Sequence, residues 1–245
     1  MSLLNDRQID HIVILTGAGV SAESGIATFR DAGGLWENYD PMDLATPEAF
    51  ASNPDLVYRF YNERREKLPE VTPNAAHSAI ASLQDRHHGD VFLVTQNVDD
   101  LHERAGSAQV CHMHGELQSV LCQHCGERHT PEVAYSQTTS CPQCTAAGGL
   151  RPDVVWFGEM PYHMSRIEGK LARCDLFIAI GTSGAVYPAA GFVRQARDWG
   201  ALTLEINKQD SDVSSLFHQR RLGMATECVV EVVEELLAGA EPGQQ

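Results

Sequence analysis

The chain has 245 residues, a formal net charge of −15 at pH 7 and a hydrophobic content of 43%, which together are typical of a globular protein. An acidic surface repels the phosphates of nucleic acids, so we expect no nucleic-acid partner. No apolar run approaches the roughly 20 residues of a membrane-spanning helix, so we expect no membrane insertion. The first eight residues, MSLLNDRQ, lack the apolar core of a signal peptide, which predicts a cytoplasmic protein.

The first predicted element is a buried strand at residues 11–16 that runs into a glycine-rich turn. Gly17, Gly19 and Ala22 match the pattern G-x-G-x-x-G/A, in which a strand turns tightly into a helix and backbone N–H groups approach a pyrophosphate. No second strand ending in an acid follows about 20 residues later, as a dehydrogenase would require. The turn therefore predicts a Rossmann-like nucleotide site used for chemistry other than hydride transfer.

Further strands and helices alternate along the chain. Apolar runs predict strands at residues 91–95, 153–157, 175–180 and 201–206. An N-cap residue followed by proline predicts helix starts at Thr46-Pro47, Asn53-Pro54 and Thr72-Pro73, and a last helix is predicted from Thr226 to Leu237. This alternation predicts an α/β fold with a doubly wound parallel sheet.

Four of the seven cysteines form two C-x2-C pairs separated by fifteen residues, the spacing of a structural zinc site. They are Cys122, Cys125, Cys141 and Cys144. Four thiolates complete a tetrahedral shell and leave no open position for a substrate. His124 and His129 are alternative ligands that the paired spacing disfavours. We interpret the other three cysteines, which are isolated in the sequence, as buried inert thiols.

Two segments interrupt the alternation of strands and helices. Residues 33–71 hold helices where a Rossmann unit should reach its second strand, and residues 119–149 hold turns and the four cysteines. We therefore expect a Rossmann-like domain made of residues 1–32, 72–118 and 150–245. The helical insertion 33–71 and the zinc-ribbon insertion 119–149 are predicted to form a smaller domain over the carboxyl edge of the sheet, where open α/β sheets bind ligands.

His114 is the candidate general base. It follows a strand end and precedes Gly115, and Asp99 lies near the end of another predicted strand. An imidazole with its reference pKa of about 6.5 can accept a proton at neutral pH, although a lone histidine is more often structural. The sequence contains no HExxH and no G-x-S-x-G, so hydrolysis by metal-bound water or by a serine nucleophile lacks support.

The order of these motifs resembles that of the sirtuin family over nearly the whole chain. The motifs are GAGVSAESGIATFR from residue 17, QNVD from residue 96, HG at residues 114–115, the two C-x2-C pairs, and GTS at residues 181–183. The resemblance implies an NAD-dependent protein-lysine deacylase that transfers the acyl group from lysine to ADP-ribose and releases nicotinamide, with NAD as cofactor, one structural Zn2+ and acylated lysine in proteins as substrate.

Two other functions stay open at this point. A protein mono-ADP-ribosyltransferase would use the same NAD site with another nucleophile. A zinc-stabilised nucleotide-binding regulatory module would need no catalytic groups, and the intact Asn97, Asp99 and His114 disfavour it.

The resemblance also assigns the cofactor site. It implies that His114 deprotonates the cofactor ribose and that Asn97 and Asp99 act at the nicotinamide half. The other implied cofactor contacts are Gly17, Ala18, Gly19, Ser21, Glu23, Thr28, Phe29, Arg30, Trp36, Gln96, Val98, Gly181, Thr182, Ser183, Asn207, Lys208, Gln209 and Ala225. Many family members have the sequence Asn-x-Glu where this chain has Asn207-Lys208-Gln209. Whether Lys208 and Gln209 contact the cofactor therefore stays open.

The segment 154–159 is implied to line the acyl-lysine tunnel. Val155 and Phe157 share one face of the predicted strand, and Gly158 and Glu159 follow them. Packing in the core explains the same periodicity, so the assignment to substrate depends on the resemblance.

Tyr61 and Arg64 bear on the choice of acyl group. They stand at positions i and i+3 of a predicted helix, so both side chains can point the same way. Without the family resemblance, the two residues are explained by a charged helix face that is exposed to solvent. The resemblance to the class III branch of the family implies instead that they bind the carboxylate of a succinyl or malonyl group. Arg65, one position further along, is expected to point about 100° away and to leave acyl preference unchanged.

Overall fold

The computed structural model describes residues 8–28 and 40–239. The strands of the described chain are β1 (His11–Thr16), β2 (Asp90–Thr95), β3 (Val110–His112), β4 (Gly115–Cys122), β5 (Arg128–His129), β6 (Leu150–Val154), β7 (Leu176–Ile180), β8 (Leu202–Asn207) and β9 (Gln219–Leu222). Its α-helices are α1 (Pro47–Ser52), α2 (Pro54–Lys67), α3 (Ala75–Arg86), α4 (Leu101–Arg104), α5 (Met164–Leu171), α6 (Phe192–Asp198) and α7 (Ala225–Gly239). None of these helices is long and apolar enough to cross a membrane.

The main sheet has six strands in the order β3-β2-β1-β7-β8-β9, and every neighbouring pair in it is parallel. The strand order reverses between β1 and β7, which is the topological switch point where doubly wound sheets bind ligands. The expected doubly wound parallel sheet is therefore confirmed.

Both faces of the main sheet are buried, as a parallel sheet requires. Along β1, Ile12 and Ile14 face a core that includes residues of α3 and α7. Val13 and Leu15 face the opposite core, which includes residues of α5 and α6. All four side chains are at most 2% exposed, which explains why this strand reads as a continuous apolar run.

A second sheet holds three antiparallel strands in the order β5-β4-β6. It packs against α1 and α2, and we call residues 47–67 and 115–157, which hold these two helices and three strands, the small module. Tyr58 of α2 lies in one buried cluster with Val120, Cys122 and Leu150, and its hydroxyl donates to the Leu150 carbonyl at 2.5 Å. The domain boundaries at residues 33, 71, 119 and 149 stay a prediction.

One predicted strand belongs to a different sheet from the one expected. The run 153–157 was expected in the parallel sheet, but the strand there is β6, Leu150–Val154, at an edge of the small antiparallel sheet. Arg151 and Pro152 break the apolar pattern at its start, and an edge strand tolerates proline because one side of it needs no N–H donor.

Two further differences concern ends and edges. Helix α3 begins after Asn74, whose side chain accepts from the backbone N–H of Ala76 at 3.0 Å, so the cap is Asn74 and not Thr72. Strands β3, β4, β5 and β9 were not predicted. Strands β3 and β5 have three and two residues, β9 reads QRRL, a polar edge strand, and β4 enters the segment that was expected to hold turns and cysteines.

Candidate active site

The glycine-rich turn meets the turn after β7 at the switch point. The Gly17 N–H donates to the Ile180 carbonyl at 3.0 Å, and the Gly19 N–H donates to the Gly181 carbonyl at 2.9 Å. A Cβ atom at position 17 would lie 2.8 Å from the Gly181 carbonyl oxygen, and one at position 19 would lie 2.6 Å from the Gly181 Cα. Both glycines are therefore required for this close approach.

The pattern predicted that the glycine turn leads directly into an α-helix, and this prediction is wrong. Two 3-10 turns follow it, Ala18–Val20 and Ala22–Ser24. The helix that returns the chain to β2 is α3, which follows α1 and α2. The long connection thus separates the phosphate-type turn from its crossover helix.

The other segments expected at the cofactor reach the same edge of the sheet. The Gly181 N–H donates to the Ile206 carbonyl at 2.9 Å, and the Asn207 side chain donates to the Thr182 carbonyl at 2.7 Å. Ser183 follows Thr182, whereas Lys208 and Gln209 are exposed. The turns after β1, β7 and β8 are therefore adjacent.

Glu23 joins the glycine-rich segment to the start of α7. Its carboxylate accepts from the Thr226 backbone N–H at 3.2 Å and also from the Thr226 hydroxyl. A carboxylate at a helix N-terminus is favourable because unpaired N–H groups point outward there. Ala225, a predicted adenine-side contact, is the first residue of that helix and is 9% exposed. The link spans 203 positions, and no sequence motif indicates it.

A buried polar cluster surrounds Ser21. Its hydroxyl donates to the Asp99 carboxylate at 3.2 Å and accepts from the Asn97 side chain at 3.2 Å. His77 Nε2 lies 3.4 Å from the same oxygen. Burial raises the pKa of Asp99, and its hydrogen bonds from the Leu101 N–H and Ser21 oppose the rise. Two predicted cofactor residues and one predicted catalytic acid thus share one network.

His77 is a member of this network that sequence reasoning missed. Burial lowers its pKa to about 4, so the ring is neutral at pH 7. It occupies the third position of a capping box with Asn74 at the start of α3. The spacing Asn-x-x-His was the available signal, but a capping box alone does not indicate a binding site.

His114 is held as a neutral imidazole whose Nε2 has no hydrogen-bond partner among the described residues. Its Nδ1 lies 3.2 Å from the Gln96 carbonyl. Because a carbonyl only accepts, we assign the ring hydrogen to Nδ1, which leaves the lone pair on Nε2. Burial lowers the pKa of His114, and the Gln96 hydrogen bond opposes this in part. The side chain is half-buried, and it can act as a base near neutral pH.

His112, two residues earlier, is held in the opposite charge state. Its Nδ1 lies 3.1 Å from the Asn97 carbonyl and its Nε2 lies 2.7 Å from the Glu103 carboxylate. Both partners are acceptors, so both ring nitrogens carry hydrogen. Burial lowers the pKa of His112, but the hydrogen bond and charge of Glu103 outweigh burial and the pKa is raised. Sequence reasoning missed this residue.

The backbone around His114 is fixed by β6. Gly115 has a φ of +81°, and a Cβ atom there would collide with the Asp153 carbonyl oxygen. The Val155 N–H donates to the His114 carbonyl at 2.8 Å. These contacts explain the glycine in the HG motif, because only glycine permits both the conformation and the close approach.

The segment after β6 alternates in burial. Val155 is half-buried and Phe157 is exposed, whereas Trp156 between them is 2% exposed. The Phe157 N–H donates to the Ala45 carbonyl at 2.8 Å. Gly158 follows with a φ of +89°. Val155 and Phe157 therefore lie on the more accessible side of an extended segment.

Tyr61 of α2 contacts this segment. Its hydroxyl accepts from Trp156 Nε1 at 3.0 Å, and the side chain is 5% exposed. Burial raises the pKa of Tyr61 to about 12, although the Trp156 hydrogen bond and the charge of Arg64 oppose the rise. The half-buried Arg64 lies on the same helix with its guanidinium carbon 3.5 Å from the centroid of the Phe60 ring.

Arg65 has a structural environment of its own. It is 8% exposed, and its guanidinium donates to the carbonyls of Pro131 at 2.5 Å and Val133 at 2.7 Å. Arg65 therefore joins α2 to the cysteine-containing segment. Arg64 and Arg65 contact different residues, and Arg65 is not an inert position.

The four cysteines form a compact group in the small module. Their sulfur atoms all lie within 4.8 Å of one another, with Cys122 and Cys144 Sγ 3.7 Å apart and Cys125 and Cys141 Sγ 3.8 Å apart. Four soft sulfur donors at this separation fit one tetrahedral zinc ion. The Nε2 atom of His129 lies 3.3 Å from Cys141 Sγ, beside the group of four.

Three predicted cofactor contacts, Phe29, Arg30 and Trp36, lie outside the described residues. Thr28 precedes them and is half-buried.

The fold and site define a Rossmann-like α/β protein with a tetracysteine module beside the carboxyl edge of its sheet. The Sir2 family model matches residues 17–188. A relative from Bdellovibrio bacteriovorus named NAD-dependent protein deacylase is 52% identical over 233 residues, covering 94% of this chain and 98% of the relative.

Two solved structures agree with this. A complex of a Sir2 homologue mutant with ADP-ribose has 40% identity and a TM-score of 0.89, covering 97% of this chain and 96% of that one. A Sir2 complex with a peptide and NAD+ has 30% identity and a TM-score of 0.81, covering 95% of each chain. The chain belongs to the Sir2 family, as the motifs indicated.

Proposed function

We propose that this protein is an NAD-dependent protein-lysine deacylase that accepts succinyl and malonyl groups as well as acetyl groups. The enzyme class is supported by the names of the curated relatives. The acyl specificity is our proposal, and the observation that carries it is the placement of Tyr61 beside the segment after β6 with Arg64 on the same helix.

NAD, when bound, would supply a ribose carbon to which the acyl oxygen bonds as the bond to nicotinamide breaks. We propose that the turns at Gly17–Gly19 and Gly181–Ser183 hold the diphosphate and adenosine side, with Asn207 and Ala225 completing it. The close approach of the two turns at the switch point supports this assignment, because backbone groups at that edge can reach phosphates.

Asn97 and Asp99 are proposed to act at the nicotinamide half. An amide side chain can pair with a carboxamide, and a carboxylate can orient ribose hydroxyls. Ser21 contacts both side chains, so the network holds them in one arrangement. This preorganisation removes part of the ordering cost of binding.

His114 is proposed as the general base. Its Nδ1 hydrogen bond to Gln96 leaves Nε2 able to accept a proton from a ribose hydroxyl. That ribose hydroxyl would accept the acyl group as the bond from the acyl carbon to the lysine nitrogen breaks, and the nitrogen would take up a proton and leave as free lysine. The lowered pKa of His114 keeps the ring in the basic form at pH 7.

Tyr61 and Arg64 are proposed to bind the carboxylate at the end of a succinyl or malonyl chain. The phenol stays protonated because burial raises its pKa to about 12, so it can donate to a carboxylate. The guanidinium supplies a charge-assisted hydrogen bond in the same region. The contact of Tyr61 with Trp156, which precedes the more exposed Phe157, supports contact with substrate bound along that segment.

The test is a panel of acetyl-, succinyl- and malonyl-lysine peptides with NAD, in which nicotinamide and free lysine peptide are both measured. Losing a desolvated Arg–carboxylate contact costs about 2–4 kcal/mol, or about 30- to 1000-fold. We expect Arg64→Met to lower kcat/KM for succinyl peptide by about that factor through KM and to leave acetyl turnover within about twofold. Arg59→Met, an exposed arginine of the same helix, is the matched control.

The proposal is wrong if the wild-type protein rejects succinyl peptide or if Arg64→Met lowers both activities equally. Nicotinamide release that does not need an acyl peptide, with label transferred to protein, would favour mono-ADP-ribosyl transfer. The expected cytoplasmic location and the absence of nucleic-acid and membrane partners stay predictions.

A further inference from the structure

We propose that Trp156 is a positioning residue that makes the Tyr61 hydroxyl a hydrogen-bond donor toward the acyl chain. Trp156 would thereby favour acyl groups that end in an acceptor such as a carboxylate. This inference rests on the proposed function, because it names what orients one half of the Tyr61–Arg64 pair.

The hydrogen bond between the two side chains has only one possible direction. An indole N–H only donates, so at a separation of 3.0 Å the Tyr61 oxygen is the acceptor. A phenol has one hydrogen of its own, and that hydrogen cannot point back at the indole. Among the described residues, the structure records no acceptor for it. The Tyr61 O–H is therefore available to an acceptor on a bound substrate.

Trp156 is held at its ring by Arg151 and at its backbone by Glu159. The guanidinium carbon of Arg151 lies 3.6 Å from the centroid of the indole. Glu159 binds Arg151 through two hydrogen bonds of 2.6 and 2.9 Å and accepts from the Trp156 backbone N–H at 2.8 Å. Rotation of the indole away from Tyr61 would lose its contact with the Arg151 guanidinium, which Glu159 holds in place.

Glu159 therefore has a use other than direct substrate contact. It was expected to bind substrate, but its two oxygen atoms are engaged by Arg151 and by the backbone of Trp156. We infer that it supports the indole, which in turn fixes the phenol. The set Glu159, Arg151 and Trp156 lies behind the side chain that would touch the acyl group.

The consequence is confined to charged acyl chains. A carboxylate has two oxygens, so one can accept from the Tyr61 O–H while the other faces Arg64. An acetyl group ends in a methyl and has nothing to accept that hydrogen. Removing the indole N–H should therefore weaken succinyl binding and leave acetyl turnover unchanged.

The experiment compares Trp156→Phe, Tyr61→Phe and the double variant in the full-length zinc-loaded protein, with succinyl- and acetyl-lysine peptides. We expect Trp156→Phe to raise KM for succinyl peptide about three- to tenfold, with kcat and the acetyl parameters within about twofold. In the Tyr61→Phe background, the same change should have no further effect on succinyl peptide, because the hydroxyl it orients is already absent.

A second substitution at Trp156 separates loss of the indole N–H from loss of packing. Replacing Trp156 with its benzothiophene analogue exchanges the N–H for sulfur and keeps the shape and the contact with Arg151. This variant should reproduce the rise in succinyl KM. Equal losses on both peptides, or multiplicative effects in the double variant, would overturn the inference.

The outcomes also separate this inference from the proposed function. If Arg64→Met and Tyr61→Phe lower succinyl activity selectively while both Trp156 variants do not, the role of Trp156 is wrong and the carboxylate site stands. If the wild-type protein does not turn over succinyl peptide, both ideas fail together.

Discussion

The carboxyl edge of the main sheet at residues 17–19 and 181–183, where we propose that NAD binds and which we call the nucleotide edge, is assembled differently from the small module. At the nucleotide edge, backbone groups meet backbone groups, as where Gly17 and Gly19 donate to the turn after β7. In the small module, side chains make the connections. Tyr58 reaches Leu150, Tyr61 reaches Trp156, and Arg65 reaches Pro131 and Val133. The first arrangement tolerates almost no added atom, whereas the second depends on which side chain is present.

This difference predicts that the two regions tolerate substitution differently, and that acyl choice depends on the small module. Close backbone packing demands glycine whatever the acyl group is, since any Cβ at position 19 would meet the Gly181 backbone. Side-chain contacts between α2 and the segment after β6 can change without disturbing the main sheet. We therefore expect substitutions in the small module to alter stability or acyl choice, and those at the nucleotide edge to alter all NAD-dependent activity.

The largest effect is expected from the metal site. Cys122→Ser should remove zinc and unfold the small module, because binding free energies of about 10–16 kcal/mol in zinc peptides are also folding free energies. The zinc content measured by elemental analysis should fall from one ion per chain to near zero, and all deacylation should be lost. Cys228→Ser, at a half-buried cysteine outside the group of four, should keep both.

Full folding and activity after complete metal removal would contradict a structural role for zinc.

The next largest effect is expected at the base. His114→Ala should lower deacylation by about 10²- to 10⁴-fold, the usual contribution of a general base. NAD affinity measured by calorimetry should stay within about threefold, because the ring acts on a reacting hydroxyl. His88→Ala is the control, since that histidine is exposed and pairs with Asp10. Near-normal turnover in a pure, folded His114→Ala protein would mean that another group is the base.

Arg65 tests the small module without touching acyl choice. Arg65→Met removes hydrogen bonds to two backbone carbonyls from a buried guanidinium, each worth about 1.5–3 kcal/mol. We expect the free energy of unfolding to fall by about 3 kcal/mol in denaturant titrations, with the succinyl-to-acetyl ratio unchanged. Arg59→Met should change neither quantity. A stability equal to wild type would show that these hydrogen bonds are replaced by water at no cost.

The sequence was most informative about features that depend on a few residues close together in the chain. The close backbone approach at the glycines, the cysteine cluster and the starts of α1 and α2, each an N-cap residue followed by proline, depend on a few neighbouring residues, and the structure has them. The α-helix expected directly after the glycine turn is absent from the described residues. Buried apolar strands such as β1 were also predictable, because both faces of a parallel sheet are covered.

What could not be predicted depends on contacts between distant residues. Glu23 meets Thr226 across 203 positions, and Tyr61 meets Trp156 across 95. No local pattern contains such a pair. The strand β6 was placed in the wrong sheet for the same reason, since its partner β4 is chosen by the small module's packing and not by its own composition. The roles of the cofactor residues stay predictions.

The smallest expected effect concerns His112 and depends on pH. Its folded pKa is raised above the unfolded value of 6.5, chiefly by Glu103 acting against burial. A group with a raised pKa contributes stability that is fully present below the unfolded pKa and is lost as pH rises through the folded pKa. Glu103→Gln removes the charge that causes the rise, so the variant should be less stable than wild type at pH 6 by about 1 kcal/mol or less.

The difference between the two proteins should then shrink as the pH is raised toward 9, because His112 becomes neutral in both. Denaturant titrations of the zinc-loaded proteins at pH 6, 7.5 and 9 measure it. Glu116→Gln is the graded comparison, since its carboxylate lies 3.8 Å from His112 Nε2 and raises the pKa of His112 less than Glu103 does at 2.7 Å, so its effect should be smaller. A stability gap that stays constant or widens with pH would show that His112 is not held as a cation, and the contrast with neutral His114 would fail.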